Sequence, residues 1–588
     1  MNRRLLLVPL VGAALVAAGA LPAVASTSTP SAAVSTRTTL PGVATRLVLT
    51  TNTSEHSTTG TLTVSNTGSA TLHVTGITVS GAQASSFTVT SPAGGVADVA
   101  AGSHADVTVR FQPPADSPIE QYATATVRTD DAAHPTISVG LAGAFAPGVE
   151  GAGEPSLAQL FRVLGYSTSP APEGTSNYVS NNRAPRHDER ISPYWVAADP
   201  SHAVQLRPIG RYVTHETSCP CGRTRWALHY PDLAKDLVSF PADPASGAFG
   251  PGNERLFPAY SGTTTFSPDG AFQLFSDAGI SSDDGRNANA VHDWRFYPAR
   301  DAHGGFVPDT WLAAFDIGTD PSDKNWDYQD AIFLLTNARP WLSTAAVPSS
   351  STVKLDFSAA RAGTVADASG QGTGFSSVQA NSHWGTAYDP SLVHLDTGAG
   401  LLRLTAAPGT FVGPADDQVD ALQLAFDASR YRSRVSTRLL GPVTSLTLGD
   451  RAGLFLGPDD SNYVAVEASS QDGRTLRVST TYEAYSRYPY ENNPHGKVIA
   501  SDVLPVSAAD VRTLDLRLSA DVVAGRLITE WRVNAADDSA PWTSQATVAP
   551  RDVMRWFSTQ GRAGIRTSRP STAPAVTTAF DQVRIDPW

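Results

Sequence analysis

The sequence predicts an all-β protein: three β-sandwich domains in series behind a signal peptide, with one short helix near residues 155–164. Three observations carry this. Apolar and polar residues alternate with period two over most of the chain, as in Leu62/Val64, Val107/Val109/Phe111 and Leu514/Leu516/Leu518. Turn residues interrupt the alternation every eight to twelve residues or so, the spacing of a sandwich. Composition agrees, with 47 Gly, 42 Pro and only 17% charged residues.

The chain opens on Arg3 and Arg4, an apolar run over 5–21, and the small-residue site Ala23-Val24-Ala25. This is the pattern of a secretory leader cut after Ala25 (residues 1–25), so a secreted, extracellular protein is expected. No later segment has the ~18 apolar residues a membrane span needs. The formal charge of -12 becomes -14 once the two leader arginines are gone. Nucleic acid is therefore not an expected partner, because its phosphates demand basic patches.

Residues 26–42 are rich in Ser, Thr and Pro and read as a flexible linker. Residues 43–147 then follow a period-two pattern. Their segments Leu62-Thr-Val-Ser-Asn-Thr-Gly68, Val107-Thr-Val-Arg-Phe-Gln-Pro113 and Val139-Gly-Leu-Ala-Gly143 resemble the ASH/hydin-type immunoglobulin-like domains. That resemblance implies a spacer or adhesive module. Gly148–Gly153 reads as a hinge. Leu157, Leu160, Phe161 and Leu164 then recur at helical spacing, with Pro155 suited to the first turn and Gly165 to the stop. The helix is expected to pack on the middle domain.

The middle domain, 154–345, carries aromatic strands over 194–197, 226–230, 271–275, 294–297, 310–315 and 331–335. Between the last two lie five carboxylates: Asp316, Asp320, Asp323, Asp327 and Asp330. Clustered hard oxygen donors suit calcium, while a solvated acidic turn is the alternative. The order strand, Asp-rich loop ending Asp327-Tyr328-x-Asp330, apolar strand resembles a domain of unknown function in bacterial surface proteins, with His292 and Tyr297 matching its preceding strand. The resemblance implies a calcium loop, although Phe315-Asp316 stands where the pattern opens on Glu-Asp. A second acidic stretch, Asp277–Asp284, reads as a solvated hairpin turn. Cys219 and Cys221 are the only cysteines. They can form a strained disulfide across one residue, stay as thiols, or join His215 on a soft metal.

After a Pro/Ser/Ala linker over 340–351, residues 352–588 return to alternating strands. Gly453-Leu-Phe-Leu-Gly457, Asn462-Tyr-Val-Ala-Val466 and the closing Phe580-Asp-x-Val-Arg-Ile585 resemble concanavalin/laminin-G-like jelly-roll sandwiches. The resemblance implies a glycan-binding concave face and a last strand paired with the first, near Asp356-Phe357. Tyr482, Tyr485, Tyr488, Tyr490 and Asn492, with Asn493 and His495, could stack on and hydrogen-bond to a sugar, or pack within an ordered loop.

Catalytic spacings fail. His215-Glu216 lacks the second His of a zinc protease. No nucleophile elbow occurs. The Glu-x-Asp-x-x-Glu strand of concanavalin-like β-glucanases is missing, and Glu530 stands alone. The sequence therefore favours a binding protein for a glycan or cell-surface polymer, stabilised by calcium. The alternatives are a polysaccharide hydrolase or lyase with an unrecognised cleft, and a structural spacer.

Overall fold

The computed structural model describes residues 28–588, except 149–152, 171–187, 213–224, 231–232, 240–253, 277–279, 285–286, 288–291, 317–324, 342–351, 382–386, 410–416, 430–431, 485–495, 551–552 and 571–574. The fold is nearly all β, arranged in several separate sheets. Two short α-helices are described, Leu157–Leu164 and Val553–Trp556.

The first unit pairs a four-stranded with a five-stranded sheet over one core that includes Leu62, Val64, Phe87, Val109 and Phe111. The alternation changes phase between Val74 and Ile77. Both nevertheless belong to one strand, Leu72–Ser80, whose register shifts between Val74 and Gly76, the mark of a bulge. The 26–42 linker is corrected in part. Ala32–Thr36 is a strand paired with Thr58–Asn66, because Ala32 and Thr36 alternate onto its buried face.

The helix Leu157–Leu164 forms where its spacing predicts. Ser156 and Gln159 make a reciprocal capping box, and Gly165 closes the helix in the left-handed conformation. Pro155 stands one residue ahead of the cap rather than in the first turn. The helix also serves two units, not one. Leu157, Leu160, Phe161 and Leu164 share a core with Val48, Ala142 and Ala144 of the first unit and with Tyr297, Leu312 and Leu334 of the middle one.

In the middle unit the strands Trp294–Arg300, Phe306–Phe315 and Ala331–Thr336 pair antiparallel in sequence. The sheet is covered on both faces, by the helix-centred core on one side and by Trp195, Phe272 and Leu274 on the other. This double burial explains why Ala331–Leu335 reads as a continuous apolar run.

The last unit faces an eight-stranded sheet against a seven-stranded one, with the largest core of the chain between them. Its closing strand, Thr577–Pro587, pairs with Val353–Leu355, directly before Asp356. It then continues against Leu401–Thr405 and Ser433–Leu440.

Candidate functional site

Along Ser433–Leu440 burial alternates. Val435 and Leu439 enter the core, and Arg434, Ser436 and Arg438 face outward. The registers of the neighbouring strands turn this into a grid on the outer face of the eight-stranded sheet. Ser436 lies between Arg517 on one side and Arg584 on the other. Arg434 lies between Ser519 and Asp586, and Arg438 between Asp515 and Gln582. Glu530 and Arg532 extend the rows beyond Arg517 and Asp515.

The grid floors an open groove of about 410 Å³, lined among others by Arg434, Ser436, Arg517, Trp542, Gln582 and Arg584. Trp542 carries the guanidinium of Arg517 at 4.0 Å and that of Arg532 at 4.5 Å from its ring centre. Arg517 forks onto Glu530 with two bonds of 2.7 Å, and Ser519 donates to the same carboxylate at 2.7 Å. Burial pushes Glu530 up, but these donors outweigh it and hold the carboxyl below its usual range. Asp515 accepts from Arg438 at 2.5 and 3.1 Å and from Arg532 at 2.6 Å. Asp586 lies 2.6 Å from Arg584 Nε.

The opposite outer face, on the seven-stranded sheet, is buried and polar. Arg566, Glu467, Glu483, Tyr463 and Phe455 lie on it. Tyr463 pairs with Glu483, and Glu467 with Ser479. The two glutamates are thus offset by four residues, about 13 Å along the strands. At the edge of this sheet Gln379, Gln418, Asp420 and Gln423 each keep a buried polar atom without a hydrogen-bond partner among the described residues.

The predicted sugar platform does not assemble from its described member. Even-numbered residues of Thr475–Ala484 point inward, so Tyr482 joins Leu476 and Val478 at the core and meets Trp556 with ring centres 6.2 Å apart. Tyr485, Tyr488, Tyr490, Asn492, Asn493 and His495 lie outside the described residues, as do His215, Cys219, Cys221, Asp320 and Asp323.

In the acidic loop Asp316 is buried, and its backbone N–H donates to the Asp293 carbonyl at 3.1 Å. Asp327 spends its carboxylate on a turn, accepting from Asn325 at 2.6 Å and from the Gln329 side chain at 3.2 Å. Asp330 is half-buried just before the strand Ala331–Thr336. Among the described residues no three His, Cys, Asp or Glu groups converge to hold a metal ion.

The second acidic stretch is corrected. Asp284 is not solvated but buried, 2.8 Å from His292 Nδ1, and Glu189 lies 3.0 Å from Nε2. Burial pushes His292 down, yet the two carboxylates outweigh it and hold the imidazole at about 10. Arg295 stacks 3.6 Å over Tyr328, whose hydroxyl donates to the His292 carbonyl at 2.6 Å. This buried network fixes the loop base to the sheet.

No protein family profile matches the chain, and no curated protein matches it. Among solved structures, a protein of unknown function from Porphyromonas gingivalis is 14% identical at a TM-score of 0.16, covering 21% of this chain and 51% of that one. This chain thus spans about half the length of that protein. The GH43 protein BlXynB from Bacillus licheniformis is 10% identical at a TM-score of 0.31, covering 90% and 84%. The CBM2 module of the evolved Dit of Lactobacillus casei phage J-1 is 11% identical at 0.24, covering 40% and 93%. Likenesses this distant assign no activity.

Proposed function

We propose that this chain is an exported, non-catalytic glycan-binding protein whose recognition face is the outer face of the eight-stranded sheet. The observation that carries the reading is the open groove of about 410 Å³ over Ser436, walled by Trp542, Gln582 and arginine forks. An open polar groove on a rigid sheet suits a polyhydroxylated polymer lying along it, whereas a small apolar ligand selects an enclosed apolar pocket. Catalysis is disfavoured by the state of the carboxylates. Asp515, Asp538 and Asp586, which line the groove, and the adjoining Glu530 each pair with an arginine. For Glu530 this pairing holds the carboxyl below its usual range, which opposes general-acid duty.

Affinity electrophoresis of the full chain in gels containing a panel of polysaccharides tests this. Retardation by at least one polymer, reduced tenfold or more in Trp542→Ala, is expected. Retardation unchanged in Trp542→Ala would move the recognition face elsewhere, and release of reducing sugar from the retarding polymer would replace the binder with an enzyme.

Calcium belongs to this proposal only as a structural ion of the 316–330 loop, supported by the burial of Asp316 beside Asp293 and by the oxygen-rich composition there.

A further inference from the structure

The groove's central residue is small, and the residues directly beside it across the strands and two positions away along its own strand are arginines. Ser436 has Arg517 and Arg584 as cross-strand partners, and Arg434 and Arg438 two residues away on its own strand. Side chains so placed share one face within about 5–7 Å of each other at Cβ. Like charges at that spacing repel, so each needs a counter-charge. Three have one: Arg517 holds Glu530, Arg438 holds Asp515, and Arg584 holds Asp586. Arg434 has none. Its side chain makes no hydrogen bond or ion pair among the described residues, its Nε is buried without a partner, and its guanidinium rests on the Trp588 ring at 4.4 Å. Burial, with Arg517 nearby, lowers its affinity for its own proton, and Glu530 and Asp586 offset this only in part.

We infer that the box around Ser436 binds an oxyanion carried by the glycan, a uronate carboxylate or a sulfate ester, held by the Arg434 fork with the Ser436 hydroxyl beneath it. A planar guanidinium with free donors is the group that recognises such oxyanions bidentately. The net charge of -12 does not oppose this, because at physiological salt charges beyond about 8 Å are screened and the box acts locally. The inference rests on the glycan-binding reading above and names its ligand class.

The test is affinity electrophoresis of the full chain against polygalacturonate, dextran sulfate and unsubstituted dextran, with a DNA oligonucleotide as a competing polyanion. We expect retardation by one or both acidic polysaccharides and not by dextran, weakened by salt. The preferred acidic polymer tells carboxylate from sulfate. Arg434→Gln should weaken binding at least tenfold, and Arg434→Lys should restore part of it. Ser436→Asp, which places a carboxylate inside the box, should abolish binding while leaving the melting temperature equal or higher at low salt. Equal retardation by dextran, or an unaffected Arg434→Gln, overturns the anion and leaves the glycan reading standing. Equal binding of DNA overturns the glycan as carrier. Retardation by no polymer overturns both.

Discussion

Arg566 reaches across Gly453 to Glu467, with Nε 2.8 Å from Oε1 and both side chains at most 2% exposed. The three residues stand in one cross-strand row, Arg566–Gly453–Glu467. A Cβ at 453 would collide with the Val466 carbonyl and lie 3.1 Å from Glu467 Cγ. Arg451, 3.6 Å from Oε2, adds a second cation. Removing one partner of a buried pair strands the other charge, at a cost of about 3–5 kcal/mol. Glu467→Ala should therefore lower the unfolding free energy of the last unit by that amount, read as a lower denaturant midpoint. The double variant Glu467→Ala/Arg566→Met should recover part of the loss. Additive losses would mean that the pair is not coupled.

Asp420 predicts an opposite, pH-dependent effect. Burial pushes its carboxyl up to about 7, against the pull of the Asp389 backbone N–H, which donates to Oδ1 at 2.8 Å. Below about pH 4 both folded and unfolded chains hold the proton and the group is neutral in effect. Between about pH 4 and 7 only the folded chain keeps it, so stability falls as pH rises, and the penalty is complete above 7. Asp420→Asn keeps the Oδ1 acceptor and removes the charge. It should raise stability at pH 8 by on the order of 2 kcal/mol and do nothing at pH 4. Thermal scans of both proteins at the two pH values decide it, and equal curves at pH 8 would refute the raised carboxyl.

The strands were readable because period-two alternation is local. The helix was readable because its capping box, Ser156 and Gln159, lies within four residues. The groove was not. Its arginines come from strands around 434, 517 and 584, and only cross-strand register puts them around Ser436. The available signal is that Arg434 and Arg438 share one strand parity in Arg434-Val-Ser-Thr-Arg438, which marks an outward cationic face without naming its neighbours. The tyrosine-rich stretch is the more conspicuous sequence feature, yet strand parity turns Tyr482 inward.

The helix Leu157–Leu164 ties the first unit to the middle one. Phe161 is buried and meets Tyr297 edge-on at 5.6 Å. Arg46 Nη1 donates to the carbonyls of Arg162 and Val163, capping the helix end from the first unit, and Arg162 pairs with Glu120 there. The two units should unfold in one calorimetric transition. Phe161→Ala, expected to cost about 3–5 kcal/mol, should split it. Two transitions in the unaltered chain would show that the shared core does not couple them.

Calcium is the remaining expectation, and the loop geometry sharpens its test. If an ion orders residues 316–330, it binds the folded chain alone and stabilises it by linkage, about 2.7 kcal/mol when calcium exceeds its dissociation constant a hundredfold. The melting temperature of the middle unit should then rise with calcium and fall with a chelator. Asp316 is the residue that should carry the response, being buried at the loop base next to Asp293. Asp327 should matter less, since Asn325 and Gln329 already occupy its carboxylate. Asp316→Asn should therefore erase the calcium shift while Asp327→Asn leaves most of it. A melting temperature indifferent to both calcium and chelator would remove the structural ion from the loop.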